Sequence, residues 1–361
     1  MPGKPETCAE ALRLRAALEA AGAKVVEADI LLPAETLLDL YGEDVRGRAY
    51  VTSDPLRGEM MLRPDFTVPV VQMHMDSGAD PARYTYAGEV FRKQEAGSRR
   101  ASEYLQVGYE LFDGRDPAAA DAEVFALFSR ILAPLGLRAA TGDIGLLRAA
   151  VTGLPTTETR KAALLRHLWR PRRFRSLLDR FCGRRPAPAG RAAVLAAADP
   201  MAGAGPEIGL RTREEVVARI ERLRADAAEP PVAAQEAALL EELMGLRETA
   251  PNVLSHLRTL AIDMPAISDA VDGFEARLGA LARHGVDIDV LEFEASFGRT
   301  TMEYYDGFVF GFFAPSRPDL PPVATGGRYD ALTRVLGQGR EAPAVGGVIR
   351  PGLTLELGGR S

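Results

Sequence analysis

Tyr84-Thr-Tyr-Ala-Gly-Glu-Val-Phe-Arg92 and Tyr104-Leu-Gln-Val-Gly-Tyr-Glu-Leu-Phe112, separated by the polar stretch 93–102, decide the fold. Both segments are rich in the aromatic and β-branched residues that favour a pleated strand. Their connection is too long for a tight turn and contains Gly97, so it reads as a mobile loop carrying Arg99 and Arg100. Successive strand residues point to opposite sides. Gln106, Gly108 and Glu110 therefore share one face, and Leu105, Val107, Tyr109 and Leu111 share the other. Gly88, Val90 and Arg92 can occupy the matching face of the first strand. One sheet face thus gathers an arginine, an amide, a carboxylate and two glycines that leave room above the backbone. That set suits a small zwitterion: Glu110 or Asp65 can accept from an ammonium or imidazolium N–H while the planar fork of Arg92 pairs with a carboxylate. Ordinary alternation on a solvent-facing sheet is the competing reading of the same spacing.

Outward from this hairpin, helical and extended patterns alternate. Thr7 can cap a first helix in which Cys8, Ala11, Leu14 and Leu18 recur at helical spacing and which Gly22 ends. A short strand is expected at Lys24–Ala28 and a helix at Ala34–Tyr41. The stretch 48–110 reads as antiparallel sheet. Asp116-Pro117 opens another helix, as an N-cap followed by proline at the first helical position. Its stripe is Val124, Phe128, Ile131 and Leu135, and Pro134 with Gly136 closes it.

From about Leu146 to Val290 the chain is dominated by Ala, Leu, Arg and Glu with helical periodicity. Thr212-Arg-Glu-Glu215 has the pattern of a capping box, with Val216, Ile220 and Leu223 as a buried stripe behind it. Strand character returns in Gly307-Phe-Val-Phe-Gly-Phe-Phe-Ala314. The loop 315–322, the segment Gly326-Gly-Arg-Tyr-Asp330, a helix and a glycine-rich segment ending at Ser361 follow. The expected organisation is two halves of one core, 1–145 and 291–361, around a mainly helical insertion at 146–290. Its fold class is α+β, an antiparallel sheet flanked by helices.

A formal charge of −6 over 361 residues argues against a chain dominated by nucleic-acid binding. Charge is nonetheless uneven: eight arginines lie between Arg166 and Arg185 against Asp179 alone. They form either a solvated helix face or a contact for phosphate, RNA or an acidic partner. Cys8 and Cys182 stand apart, which suits a reducing compartment without a disulfide framework. His74, His167, His256 and His284 have no metal-ligand spacing, so no zinc site is expected. The polar start and the lack of a long apolar run indicate no signal peptide and no membrane span, and a cytoplasmic chain.

The hairpin resembles motif 2 of the class II aminoacyl-tRNA synthetases, and specifically that of histidyl-tRNA synthetase: Phe91-Arg92, a charged loop, then Gln106 and Glu110 four apart. Leu62-Arg-Pro-Asp-Phe-Thr67, Glu303-Tyr-Tyr305 and Gly326-Gly-Arg-Tyr-Asp330 resemble three further segments of that family, in the same order. The resemblance implies a class II synthetase-like sheet and a histidine pocket at Asp65, Thr67, Arg92, Gln106, Glu110, Tyr304, Tyr305 and Tyr329. Tyrosines offer an imidazole an aromatic wall and a hydroxyl partner. Core tyrosines beside an apolar strand are the alternative.

The departures fall on the nucleotide half. Thr300 stands where the synthetases carry their histidine-specific arginine, and Arg299 is offset by one residue. Lys93, Gln94 and Glu95 replace a glutamate-arginine pair, Ser102 stands in for a further arginine, and Leu353 falls on the motif 3 arginine, with Arg350 a turn away. Losing one donor to the reacting phosphates typically costs about 100- to 1,000-fold in rate. The chain also stops soon after motif 3, without the anticodon-reading domain of those enzymes. This combination resembles the family of regulatory subunits of short-form ATP phosphoribosyltransferase. It implies no catalysis of its own, no cofactor, histidine as effector, a homodimer, and a hetero-oligomer with the catalytic subunit. Neither tRNA nor a membrane is an expected partner. A truncated amino-acid-activating enzyme and an RNA-binding module are the alternatives.

Overall fold

The computed structural model describes residues 3–41, 46–94, 97, 101–186, 188–299 and 304–358. Its strands are β1 (Lys24–Val25), β2 (Leu31–Pro33), β3 (Val51–Asp54), β4 (Gly58–Leu62), β5 (Ala82–Phe91), β6 (Glu103–Phe112), β7 (Arg138–Asp143), β8 (Arg247–Thr249), β9 (Glu292–Glu294), β10 (Phe308–Phe313), β11 (Ala324–Arg328) and β12 (Ala344–Ile349). Nine form one sheet in the order β1-β5-β6-β12-β11-β10-β7-β9-β8, and β2-β4-β3 form a second. Pairing from β5 to β7 is antiparallel throughout, while β1 on β5 and β9 on β7 run parallel. The fold class is α+β, as the alternation of patterns implies.

Chain order and sheet order differ in one telling way. After β7 the chain passes through the helices between Ile144 and Arg283, then returns, and β10 pairs with β7 from Phe308↔Asp143 to Phe313↔Arg138. The sheet is therefore closed by segments far apart in sequence.

One face of the sheet packs on the helix Pro117–Leu132. Asp116 caps this helix by accepting from the Ala119 N–H at 3.0 Å, and a turn at Ala133–Leu135 with Gly136 at φ +58° ends it. The rings of Phe310 and Phe312 lie 5.5 and 5.3 Å from Phe125, and Phe128 lies 5.7 Å from Phe310. Each fully buried ring contributes about 1.5–3 kcal/mol by leaving water. This apolar layer holds the sheet from behind and leaves the opposite face for polar groups.

Several local expectations are corrected. The first helix runs Lys4–Ala20 with Gly3 as its N-cap. Thr7 sits inside it, where its hydroxyl donates to the Gly3 carbonyl at 2.9 Å. The strand expected at 24–28 shrinks to β1. The stretch 48–110 is not all sheet, because Thr67–Ser77 is helical. Val68, Val71 and Met75 recur there at helical spacing and are buried, so packing outweighs the weak strand preference of valine. The capping box of Thr212 and Glu215 forms, but only Ile220 behind it is buried, with Val216 and Leu223 partly exposed. The closing glycine-rich segment consists of β12 and a helix, Pro351–Gly358, and Ser361 lies outside the described residues. Among the described residues no helix is long and apolar enough to cross a membrane.

Candidate functional site

Register places the polar face. Gly88 is opposite Gln106, Tyr84 opposite Glu110, and Glu110 opposite Gly346, which in turn faces Gly327. Paired residues share a side, so a row of small residues runs across the middle of the sheet. Large side chains lie flat over it. A Cβ on Gly108 would sit 2.1 Å from the Tyr86 ring, and one on Gly346 would sit 1.6 Å from Oε2 of Glu110. Both contacts are impossible, so only glycine lets these groups descend to the backbone.

Glu110 is the hub of the site and is fully buried. Its Oε1 accepts from Tyr86 at 2.8 Å and from Thr67 at 3.0 Å, and its Oε2 accepts from Tyr329 at 2.5 Å. Thr67 arrives as the first residue of its helix. Tyr329 arrives two residues beyond Gly327 and hence on the same side as that glycine. Tyr304 approaches the Thr67 hydroxyl at 3.3 Å, and its ring lies 4.9 Å from Tyr305 and 6.0 Å from Tyr329. Burial pushes the Glu110 carboxyl up to about 7. The three hydroxyl donors pull it down, and the charge of Asp65 pushes it further up. Burial and the neighbouring Glu110 also hold the Tyr86 and Tyr329 phenols well above their usual range.

The remaining expected residues surround this hub. Asp65 is buried and accepts from the Val68 N–H at 3.4 Å, at the start of the same helix as Thr67. Arg92, just past the end of β5, donates through Nε to the Pro64 carbonyl at 2.7 Å. Gln106 is 1% exposed, and neither its amide nitrogen nor its amide oxygen has a hydrogen-bond partner among the described residues. An unsatisfied buried amide is costly, about 1–3 kcal/mol. All eight residues flank one buried polar face, which is not the solvent-facing sheet of the competing reading. The chemistry it offers is a buried carboxylate held by neutral donors beside an amide with free donor and acceptor capacity.

Three contributors were not anticipated. Tyr86 follows from the same period-two rule that placed Gly88 and Arg92. Phe66 stacks on Tyr86 at 4.3 Å, with the Arg63 guanidinium 3.9 Å from its centroid. Trp169 donates to the Tyr305 carbonyl at 3.1 Å, which ties the helical region to the site. No local pattern reveals those contacts.

Arg328, inside the Gly326–Asp330 segment, points away from Glu110. It contacts Asp121 at 2.8 Å and Asp330 at 3.1 Å, in a buried network where Arg277 joins Asp121 and Asp143. Alternation explains why Arg328 and Tyr329 diverge.

The positions that the resemblance assigns to the nucleotide are placed differently. Arg299 is buried against the helical region, its Nε donating to the Leu168 carbonyl at 2.8 Å and its guanidinium 5.2 Å from the Phe174 centroid. Arg350 donates to the Pro322 carbonyl, and burial lowers its pKa. Leu353 is an apolar residue packed on the core. Glu95, Arg99, Arg100, Thr300 and Glu303 lie outside the described residues.

Comparison with known proteins agrees with this architecture. The family model for histidyl-tRNA synthetase matches residues 5–197 and 211–351. An ATP phosphoribosyltransferase regulatory subunit of Brucella canis is 32% identical, over 92% of this chain and 93% of its own length. Its counterpart in Brucella anthropi is 33% identical with the same coverage. Among solved structures, an ATP phosphoribosyltransferase regulatory subunit/histidyl-tRNA synthetase from Bacillus halodurans superposes with a TM-score of 0.69 at 21% identity, covering 98% of this chain and 79% of that one. A histidyl-tRNA synthetase from a Nostoc species gives 0.64 at 16% identity, covering 98% and 71%. These structures share the class II synthetase-like fold. The chain belongs to the family of ATP phosphoribosyltransferase regulatory subunits, built on a histidyl-tRNA synthetase-like core.

Proposed function

We propose that this chain binds free histidine on the buried face around Glu110 and relays feedback inhibition to a catalytic ATP phosphoribosyltransferase subunit in a hetero-oligomer, without catalysis of its own. The orphaned amide of Gln106 carries the reading. Histidine brings donors for the Gln106 oxygen and for Glu110, acceptors for the Gln106 nitrogen, and a carboxylate that complements Arg92. Asp65, Thr67, Tyr304, Tyr305 and Tyr329 complete the pocket in this proposal. Segments 1–145 and 291–361 form its two core halves around an insertion at 146–290. A homodimer in the cytoplasm is the proposed host assembly.

Two arginines speak for a regulator and against an activating enzyme. Arg299 donates through Nε to Leu168 and lies over Phe174, with its Nη2 unpartnered among the described residues, and Arg350 donates to Pro322. Positioned cations are what phosphoryl chemistry needs. Inhibition reaches the partner only if histidine favours one assembly state over another.

Titration calorimetry of the purified chain should give saturable histidine binding that Gln106→Ala or Glu110→Ala weakens at least tenfold. The catalytic subunit, copurified and assayed with this chain, should become histidine-sensitive. The match to the histidyl-tRNA synthetase family favours a second reading, a truncated amino-acid-activating enzyme. Histidine-dependent ATP–pyrophosphate exchange at a clear turnover would establish that reading and end the first.

A further inference from the structure

The arginine-rich stretch 166–185 meets the face around Glu110 through Trp169, which donates to the Tyr305 carbonyl, while Arg180 and Arg185 line a different place. Phe174, Leu178 and Phe181 turn one side of the helix Pro171–Phe181 into the core. At the C-terminal end of that helix, Arg180 and Arg185 instead border a cavity of about 330 Å³. The helices Ala189–Ala196 and Arg213–Ala228 supply its other walls, including Arg191.

Four arginines line this cavity, and they are not equivalent. Arg160 is buried and already satisfied: Nε contacts Asp226 at 2.6 Å, and the guanidinium donates to the carbonyls of Pro230 at 2.6 Å and Asp226 at 2.7 Å. It fastens the wall and neutralises Asp226. Arg180, Arg185 and Arg191 have no carboxylate partner within ion-pair distance among the described residues. The Arg185 guanidinium donates to the Ser176 hydroxyl at 3.2 Å. The Nε of Arg180 is buried and makes no hydrogen bond. Glu229 is the other acidic residue of the lining and is exposed at the rim.

Three unpaired guanidinium groups around one concavity repel one another, more strongly where burial thins the solvent between them. Burial and the nearby Arg191 lower the Arg180 pKa, outweighing the opposite pull of Asp226, the direction such crowding produces. A phosphate-bearing anion answers each feature, because guanidinium forks match phosphate oxygens and the anion relieves the repulsion.

We propose that this cavity is an anion site for a phosphate or diphosphate group, contacted by Arg180, Arg185 and Arg191 and separate from the face around Glu110. The concavity favours a compact anion over an extended nucleic acid, whose backbone needs a stripe of cations along a surface. Free phosphate, pyrophosphate and the phosphates of a nucleotide share this chemistry.

The test is calorimetry on the full chain at constant ionic strength, with inorganic phosphate, pyrophosphate and ATP as separate titrants and chloride as the matched control. Pyrophosphate should bind one per chain, and Arg191→Gln and Arg185→Gln should each weaken it about tenfold, the loss expected for one charge-assisted contact. Arg180→Lys keeps the charge but loses the fork and should weaken it as well. Gln106→Ala should bind pyrophosphate normally, which separates this site from the histidine proposal. Equal weakening of all three titrants by Arg191→Gln identifies a site for the phosphate group itself, whereas ATP binding that exceeds pyrophosphate binding identifies a nucleotide. Absence of binding by all three, or binding indifferent to both glutamine variants while circular dichroism shows them folded, overturns the proposal. So does RNA binding that these variants abolish while pyrophosphate fails to compete.

Discussion

The Tyr329 hydroxyl lies 2.5 Å from Oε2 of Glu110, joining two segments 219 residues apart in the sequence. With Thr67 and Tyr86 on the other oxygen, the carboxylate is held by three neutral donors and no cation within hydrogen-bond distance among the described residues. Burial raises its pKa to about 7, against an ordinary value of 4.5. The folded chain therefore holds this proton more tightly than the unfolded chain does. Its stabilising contribution is complete below about pH 4.5 and is lost as pH rises through 7.

The first prediction follows from that sign. Between pH 5 and 8, wild type should lose on the order of 1–3 kcal/mol in urea stability relative to Glu110→Gln, which has no proton to lose. Asp306 and Asp330 are also raised by burial, so the wild-type curve alone is not diagnostic and the difference between the two proteins is. Tyr329→Phe removes a donor to the carboxylate and should extend the decline to higher pH. Parallel stability profiles for wild type and Glu110→Gln would contradict this account.

Gln106 leads to a second prediction with opposite effects on stability and binding. Its amide is buried without partners, so a side chain of similar length and no polar atoms should fit better. Gln106→Met is expected to stabilise the free chain by about 1–3 kcal/mol and to weaken histidine at least tenfold. Thermal melts and calorimetry on one preparation check both. Unchanged histidine affinity in the variant would detach Gln106 from the proposed pocket.

The hairpin made much of this legible. Alternation alone put Gln106, Gly108 and Glu110 on one side, and register confirms it: Gly88 opposes Gln106 and Tyr84 opposes Glu110. The helix at Thr67–Ser77 is equally readable from Val68, Val71 and Met75 at helical spacing, although the strand character of its neighbour β5 extends the sheet reading over it. What no local rule supplies is closure by distant segments. Pairing of β10 with β7 brings Tyr305 and Asp306 back to the start of the helical region, and the Trp169 donor to Tyr305 depends on that closure. Arg328 and Tyr329 are neighbours in one motif, yet they serve opposite faces. Their roles separate only once β11 is paired.

The glycine floor gives a third prediction. A Cβ on Gly346 falls 1.6 Å from Glu110 Oε2 and 2.7 Å from the Tyr109 carbonyl, so carboxylate and backbone would both have to move. Gly346→Ala should destabilise by about 1–3 kcal/mol or more through overpacking and abolish histidine binding. Gly245→Ala, where nothing lies within 4 Å, is the control and should be neutral or slightly stabilising. Equal urea midpoints for the two variants would show that the Glu110 carboxylate does not depend on this close approach.

The buried ion network supplies the last prediction, and it concerns how the helical region is anchored to the sheet. Arg277, in the helix Ser268–Arg283, contacts Asp143 at the end of β7 at 2.5 Å and Asp121 at 3.2 Å, while Arg328 holds Asp121 from the other side. Removing one member of a buried pair strands the other charge away from water. Arg277→Met should therefore cost about 3–5 kcal/mol in urea unfolding. Pairing it with Asp143→Asn should restore part of that loss. The amide carries no stranded charge and can still accept from the Gly145 N–H, while Asp121 keeps Arg328. Because the groups are shielded from solvent, the cost should be nearly the same in 0.1 M and 1 M salt. A penalty below about 1 kcal/mol, or one that salt erases, would mean that the contact behaves as an exposed pair and that apolar packing alone fastens the helices to the core.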